Sequence, residues 1–235
     1  MRRRFTNNRV SDIPFDYSNY MTIEALEDGV AISLPYEIRE FCQYGVDGIG
    51  WKPCVVVPTI NYGQKISFKC DISQTNFTQF GNINISGSCK LCGNCLSLIF
   101  GDNAINNTDI SAFPSIFQRL FYRQSSIKEV SSNFLPATML AKDCYYRMFE
   151  NCKSLTIAPE LPATTLASNC YYDMFYGCTK LNYIKMLAVN ISAVGCLGNW
   201  VYGVASNGTF VKNPAMTTLP TGESGIPSGW TVQNA

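Results

Sequence analysis

Apolar residues fall in adjacent pairs along 144–152: Cys144 and Tyr145, Met148 and Phe149, then Cys152. The same beat returns along 170–178 as Cys170 and Tyr171, Met174 and Phe175, then Cys178. Recurrence at i, i+1, i+4, i+5 and i+8 puts all five on one side of a short helix, so the spacing predicts a buried helical stripe in each segment. Arg147 and Asp173 fall on the opposite, solvent face, where truncating Asp173 is expected to matter little. SLTIAP (154–159) and KLNYIK (180–185) follow the stripes and predict short strands. Pro136 and Pro162 precede the stripes, where a missing amide hydrogen does no harm.

The two segments belong to a longer repeat. Residues 135–160 laid over 161–186 agree at 13 of 26 positions. The cysteine column reaches one step further, through Cys144, Cys170 and Cys196, each 26 apart. Upstream, LFYRQSSIKEV (120–130) echoes MFENCKSLTIA (148–158) across a longer spacer, which extends the pattern to three or four rungs. A fixed period in the twenties marks a solenoid. One rung cannot bury its own apolar face, but stacked rungs share a continuous core. Cysteine suits a narrow rung as a small apolar residue.

Residues 20–95 have another rhythm. YMTIEALEDGVAISL (20–34) is two alternating runs about a D-G turn, which is a hairpin signal. CQYGVDGIGWKPCVVV (42–57), QKISFKCDIS (64–73) and FGNINISG (80–87) add strand candidates. Turn residues recur roughly every 8–12 positions, the spacing of a small β-sandwich. The expected fold is therefore mixed α and β. It runs as an extended basic arm (1–19), a β-sandwich-like module (20–95), a leucine-rich-repeat-like solenoid (96–200) and a C-terminal cap (201–235) that buries Trp230.

MFENCKSL (148–155) and MFYGCTKL (174–181) share the pattern MF-x-x-C-x-x-L. It resembles the BspA-like leucine-rich repeats, which occur on surface proteins of gut Bacteroidales and in phages that infect such hosts. The tail VYGVASNGTFVKNPAM with GIPSGWTVQNA is similar to the end segments of these proteins, and YGVDGIGW (44–51) resembles a phrase of bacterial immunoglobulin-like modules. The resemblance implies a surface protein.

Composition narrows the chemistry. The 235-residue chain is 46% apolar and 15% charged, the balance of a globular protein. A net charge of +1 gives no general attraction for nucleic acid or anionic lipid, and no apolar run approaches the length of a membrane span. Histidine is absent. That excludes Ser-His-Asp and Cys-His catalysis and imidazole-bound zinc. No catalytic residues and no cofactor are expected. SCKLCGNC (88–95) places Cys89, Cys92 and Cys95 at CxxCxxC spacing, with Cys70 as the nearest fourth thiol. Such spacing gathers thiolates on a metal or cluster. No second CxxC follows, so these read as packing thiols. The basic start has no apolar segment behind it and is not read as a secretory signal. The expectation is assembly in the cytosol, with Cys144, Cys152, Cys170 and Cys178 reduced.

Two features point outward. Arg2, Arg3, Arg4 and Arg9, with Phe5, make a cationic anchoring arm. Tyr146, Tyr172 and Tyr176 fall outside the core and predict an aromatic surface suited to glycans or proteins. The functional expectation is a phage head fibre or capsid decoration protein on the virion exterior. The arm would hold it to shell proteins as a homo-oligomer, a trimer first, with the repeat facing host surface glycans or proteins. The alternative is a bacterial cell-surface adhesin built on the same repeats.

Overall fold

The computed structural model describes residues 15–73 and 77–235. Among the described residues strand is the main regular structure, and α-helix is confined to two single turns, Tyr36–Arg39 and Ser97–Phe100. Six strands pair in parallel in chain order: β7 (Cys89–Cys92), β8 (Ile127–Val130), β9 (Ile157–Leu161), β10 (Tyr183–Met186), β11 (Thr209–Lys212) and β12 (Thr231–Asn234). A full coil of chain joins β7 to β8, β8 to β9, β9 to β10 and β10 to β11, which makes a β-solenoid of about four turns. On another side of the coils, isolated bridges pair Asp109 with Met139 and Thr165 with Asn190.

The stripes expected to be helical form something else. In every coil each fourth residue is left-handed: Ser115, Arg119 and Arg123; Asp143, Arg147 and Asn151; Asn169, Asp173 and Gly177; Gly195, Asn199 and Gly203. Between them the backbone makes consecutive tight turns. The amides of Tyr146, Met148, Glu150 and Cys152 donate three residues back, to the carbonyls of Asp143, Tyr145, Arg147 and Phe149. The alternate amides of Tyr145, Arg147, Phe149 and Asn151 donate across to Cys170, Tyr172, Met174 and Tyr176 of the next coil. All eight amides are satisfied, as buried backbone requires. An α-helix would bond four residues back and leave none for a neighbour. Over nine residues a period of four and a period of 3.6 bury the same positions, so the apolar pattern alone could not separate them. We call this element the turn ribbon. It turns two residues inward to the core and the next two outward.

The inward pairs stack in columns along the solenoid. Phe80, Phe117, Tyr145, Tyr171 and Trp200 follow one another at centroid spacings of 5.7, 5.8, 6.1 and 6.4 Å. Phe121, Phe149 and Phe175 form a second column at 5.6 and 5.9 Å, closed by Trp200 at 6.2 Å. Equivalent residues lie one strand spacing apart along the axis, about 4.8 Å, so slightly offset rings meet face to face. Cysteine fills the narrow places and also donates. The Cys152 thiol reaches the Phe121 carbonyl at 3.1 Å, and the Cys178 thiol reaches that of Phe149 at 3.0 Å. Burial pushes the Cys152 and Cys170 thiols up to about 12, which removes them as nucleophiles. Cys144, Cys152, Cys170 and Cys178 are free and buried. They should resist alkylation in the native protein and react fully after denaturation. A disulfide among them, seen by mass spectrometry of alkylated, unreduced protein, would contradict this packing.

Residues 20–95 do not form a separate sandwich. β1 (Met21–Ala25) pairs antiparallel with the free side of β7, and β5 (Lys65–Cys70), β3 (Cys42–Val46) and β4 (Ile49–Pro53) continue outward. The solenoid and these strands thus share one ten-stranded sheet. Among the described residues only β2 (Ala31–Ser33) and β6 (Asn84–Ser86) form a small ribbon apart. Local alternation announces a strand but not its partner. Both ends of the turn ribbon are covered. The amides of Phe80 and Ile83 donate to Ile116 and Leu120 of the first rung. At the far end Val201 donates to Glu223, and Trp200 Nε1 donates to the Gly225 carbonyl at 2.9 Å. Trp230 is buried as expected, with Nε1 on the Ala205 carbonyl at 2.7 Å, but the tail around it also adds β11 and β12 to the sheet. Residues 15–19 fold as well: Phe15 packs 5.4 Å from Tyr20 and 5.9 Å from Trp51.

Candidate functional site

The outward side of the turn ribbon carries two residues per turn in register from coil to coil. One column reads Gln118, Tyr146, Tyr172 and Gly198; the next reads Tyr122, Glu150, Tyr176 and Tyr202. Tyr146 and Tyr172 stack at 5.3 Å, and Tyr176 stacks on Tyr202 at 4.7 Å. All three expected tyrosines therefore lie on this face, but Tyr176 pairs with Tyr202 and not with the other two. The stacking changes what they offer. Tyr172 has Tyr146 on one side, and a Cβ at Gly198 would sit 2.5 Å from its ring. Its faces are used, so the ladder presents ring edges and hydroxyls and not the open aromatic plates expected from sequence. The inner tyrosines, Tyr145 and Tyr171, are fully enclosed.

Between the columns lies a charged knot. Arg147 donates to a single oxygen of Asp173, from Nε at 3.0 Å and from Nη2 at 2.8 Å, and its Nε is 3.4 Å from Glu150. Its guanidinium also lies 5.0 Å from the centre of the Tyr146 ring. Asp173 is only 5% exposed and Glu150 8%, so Asp173 is not the solvent-face residue that the helical reading placed there. The ribbon accounts for this: residues 26 apart are neighbours on adjacent coils, and Arg147 and Asp173 share one left-handed column.

Burial raises the Glu150 carboxyl above its ordinary 4.5, against the attraction of Arg147 and with the help of Asp173. The native state then binds this proton more tightly than the unfolded chain does. Stability contributed by the protonated form is present at low pH and is lost as pH rises through the raised native value. Glu150→Gln should flatten this dependence. Denaturation midpoints measured from about pH 4 to pH 7 should fall with pH more steeply in the parent than in the variant. Parallel curves would show that Glu150 titrates normally.

The cysteines of the CxxCxxC motif do not converge. Cys89 and Cys92 lie on opposite faces of β7, since side chains three apart on a strand alternate. Cys92 approaches Glu24 at 3.8 Å. Cys95 is buried beyond the strand, and Cys70 is tied to Cys42 in a disulfide between β5 and β3. Among the described residues no three metal-ligating side chains come together. Arg2, Arg3, Arg4, Phe5 and Arg9 lie outside the described residues. Four residues that the sequence reading passed over belong to the ribbon face: Arg119, Arg123, Tyr122 and Lys153. For Arg123 and Lys153 the signal was a charge at positions where the following coils have Asn151 and Gly177, and Thr179.

Comparisons with known protein families, with characterised proteins and with solved structures return no match. Among the described residues no helix is long and apolar enough to cross a membrane.

Proposed function

We propose that this chain is a non-enzymatic display protein, a phage head fibre or capsid decoration protein with BspA-like repeats. In this reading the solenoid presents the outward face of its turn ribbon to glycans or proteins of a host surface. The observation that carries it is the ribbon itself. Interlocked amides fix outward side chains in register over four coils, so recognition groups are held rigid without a deep cavity. Residues 1–14 would dock on shell proteins, Arg2, Arg3, Arg4 and Arg9 by charge-assisted bonds and Phe5 in a small pocket. Several copies, a trimer first, would turn a weak peg into firm attachment.

One observation favours the second reading, a bacterial cell-surface adhesin. The Cys42–Cys70 disulfide joins adjacent strands, and such bonds persist in oxidising surroundings.

Antibody against residues 15–235 separates the two. Gold label on purified particles supports the first, label on intact bacterial cells supports the second, and label on neither sinks both. A chain beginning at Phe15 should melt like the full chain, because Phe15 already packs on Trp51. It should nevertheless be missing from particles. Equal incorporation would move the attachment site into the folded part.

A further inference from the structure

Four residues share the left-handed column that runs through position 123: Arg123, Asn151, Gly177 and Gly203, at φ 61°, 60°, 71° and 71°. Glycine adopts this conformation freely and asparagine is enriched in it, but arginine is neither. The neighbouring column reads Arg119, Arg147, Asp173 and Asn199, at φ 57°, 56°, 51° and 47°. Arg147 is engaged by Asp173 and Glu150. Among the described residues Arg119 and Arg123 have no carboxylate within ion-pair distance. Their guanidinium groups lie instead 5.7 and 4.9 Å from the centre of the Tyr122 ring. The first coil thus holds two arginines in a disfavoured backbone state with no ion pair among the described residues, the buried Glu150 attracting them only at longer range. Local strain of this kind points to function.

A hollow of about 330 Å³ opens beside them, between the corners of the first and second coils. Its lining is Arg123, Ser125, Asn151 and Lys153: two cations, a hydroxyl and an amide, with no carboxylate and no apolar side chain. Glu150, the nearest carboxylate on this face, is buried and holds Asn151 at 3.2 Å. At the next corner the equivalents of Arg123 and Lys153 are Asn151 and Thr179, so this charge pair belongs to the first corner alone.

We propose that this hollow binds the acidic group of a sugar unit in an anionic polysaccharide. Arg123 and Lys153 take the carboxylate or sulfate, Arg123 through its planar fork, and Ser125 and Asn151 meet the adjacent hydroxyls. The phenol hydroxyls of Tyr176 and Tyr202, which bond to no other described residue, extend the polar surface along the axis. A peptide would look for an apolar anchor or an open strand edge, and this lining supplies neither. The inference rests on the display reading above and names the ligand of that face.

The test is calorimetric titration of the full chain with four probes: trigalacturonic acid, a heparin-derived tetrasaccharide, neutral maltotriose and hexaglutamate. One of the two acidic sugars should bind, more weakly as salt is raised, and the one that binds identifies the acid group. Maltotriose and hexaglutamate should not. Arg123→Asn and Lys153→Gln should each weaken binding about tenfold or more. Arg123→Asn should also keep or raise the melting temperature, because asparagine suits the conformation that arginine resists. The proposal is overturned if neither acidic sugar binds, if hexaglutamate binds as well as the sugar, or if Arg123→Asn leaves binding intact or lowers the melting temperature. Loss of sugar binding with surface label retained removes this inference alone. Absence of surface label removes the display reading.

Discussion

Phe175→Ala should destabilise the protein by about 3–5 kcal/mol, the range for large aromatic truncations in a closed core. Phe175 is fully buried, with Phe149 stacked at 5.9 Å and Trp200 at 6.2 Å. Its backbone amide is bonded to Trp200 in the next coil, so the segment cannot collapse inward to fill the space. The cavity would interrupt the column between Phe149 and Trp200 and weaken the contacts of two neighbouring coils at once. Denaturant unfolding monitored by tryptophan fluorescence is a direct measure, because Trp200 reports from the edge of the void. A loss below about 1 kcal/mol would mean that the columns are loosely packed.

Asp173→Ala should lose about 2–3 kcal/mol. Part of the loss comes from Arg147, whose partner disappears while Glu150 remains at the longer distance of 3.4 Å. Solvent reaches Arg147, which keeps this part below that of a fully enclosed pair. The rest comes from the backbone, since φ at Asp173 is 51° and alanine resists that region where aspartate tolerates it. Asp173→Asn separates the two contributions. It keeps the conformation and a hydrogen-bond acceptor, so it should lose only about 1 kcal/mol. Equal losses for alanine and asparagine in thermal melts would leave the backbone share unsupported.

Asp173 also shows where the sequence could be read and where it could not. The apolar buried positions, the period and the stacking of coils were legible from Cys144, Met148, Phe149 and their copies 26 residues on, but the burial of Asp173 was not. The element was not, because apolar spacing over nine residues fits a helix and a turn ribbon equally. The discriminating signal sat in the polar positions. Asp143, Arg147, Asn151, Asn169, Asp173 and Gly177 recur every fourth place and are mostly residues that accept left-handed backbone. Read that way, the Arg147–Asp173 pair follows from one coil length. The N-terminal strands were found as strands, but their membership of the solenoid sheet depends on β1 choosing β7, a pairing without a local signature. The tyrosine face was legible in position but not in presentation, because which faces the rings share depends on coil-to-coil stacking.

The alternating amide pattern has a further consequence. Half of each rung's donors are satisfied inside the rung and half by the rung that follows, and every rung presents the same carbonyls to the one before it. The middle of the molecule is therefore a unit that fits itself at both faces, like a course of brick. One more 26-residue copy set beside residues 161–186 would leave both covered ends as they are and lengthen the body by one strand spacing, about 4.8 Å. Reach would then be a quantity a gene adjusts by copying, in fixed steps, without redesigning either end.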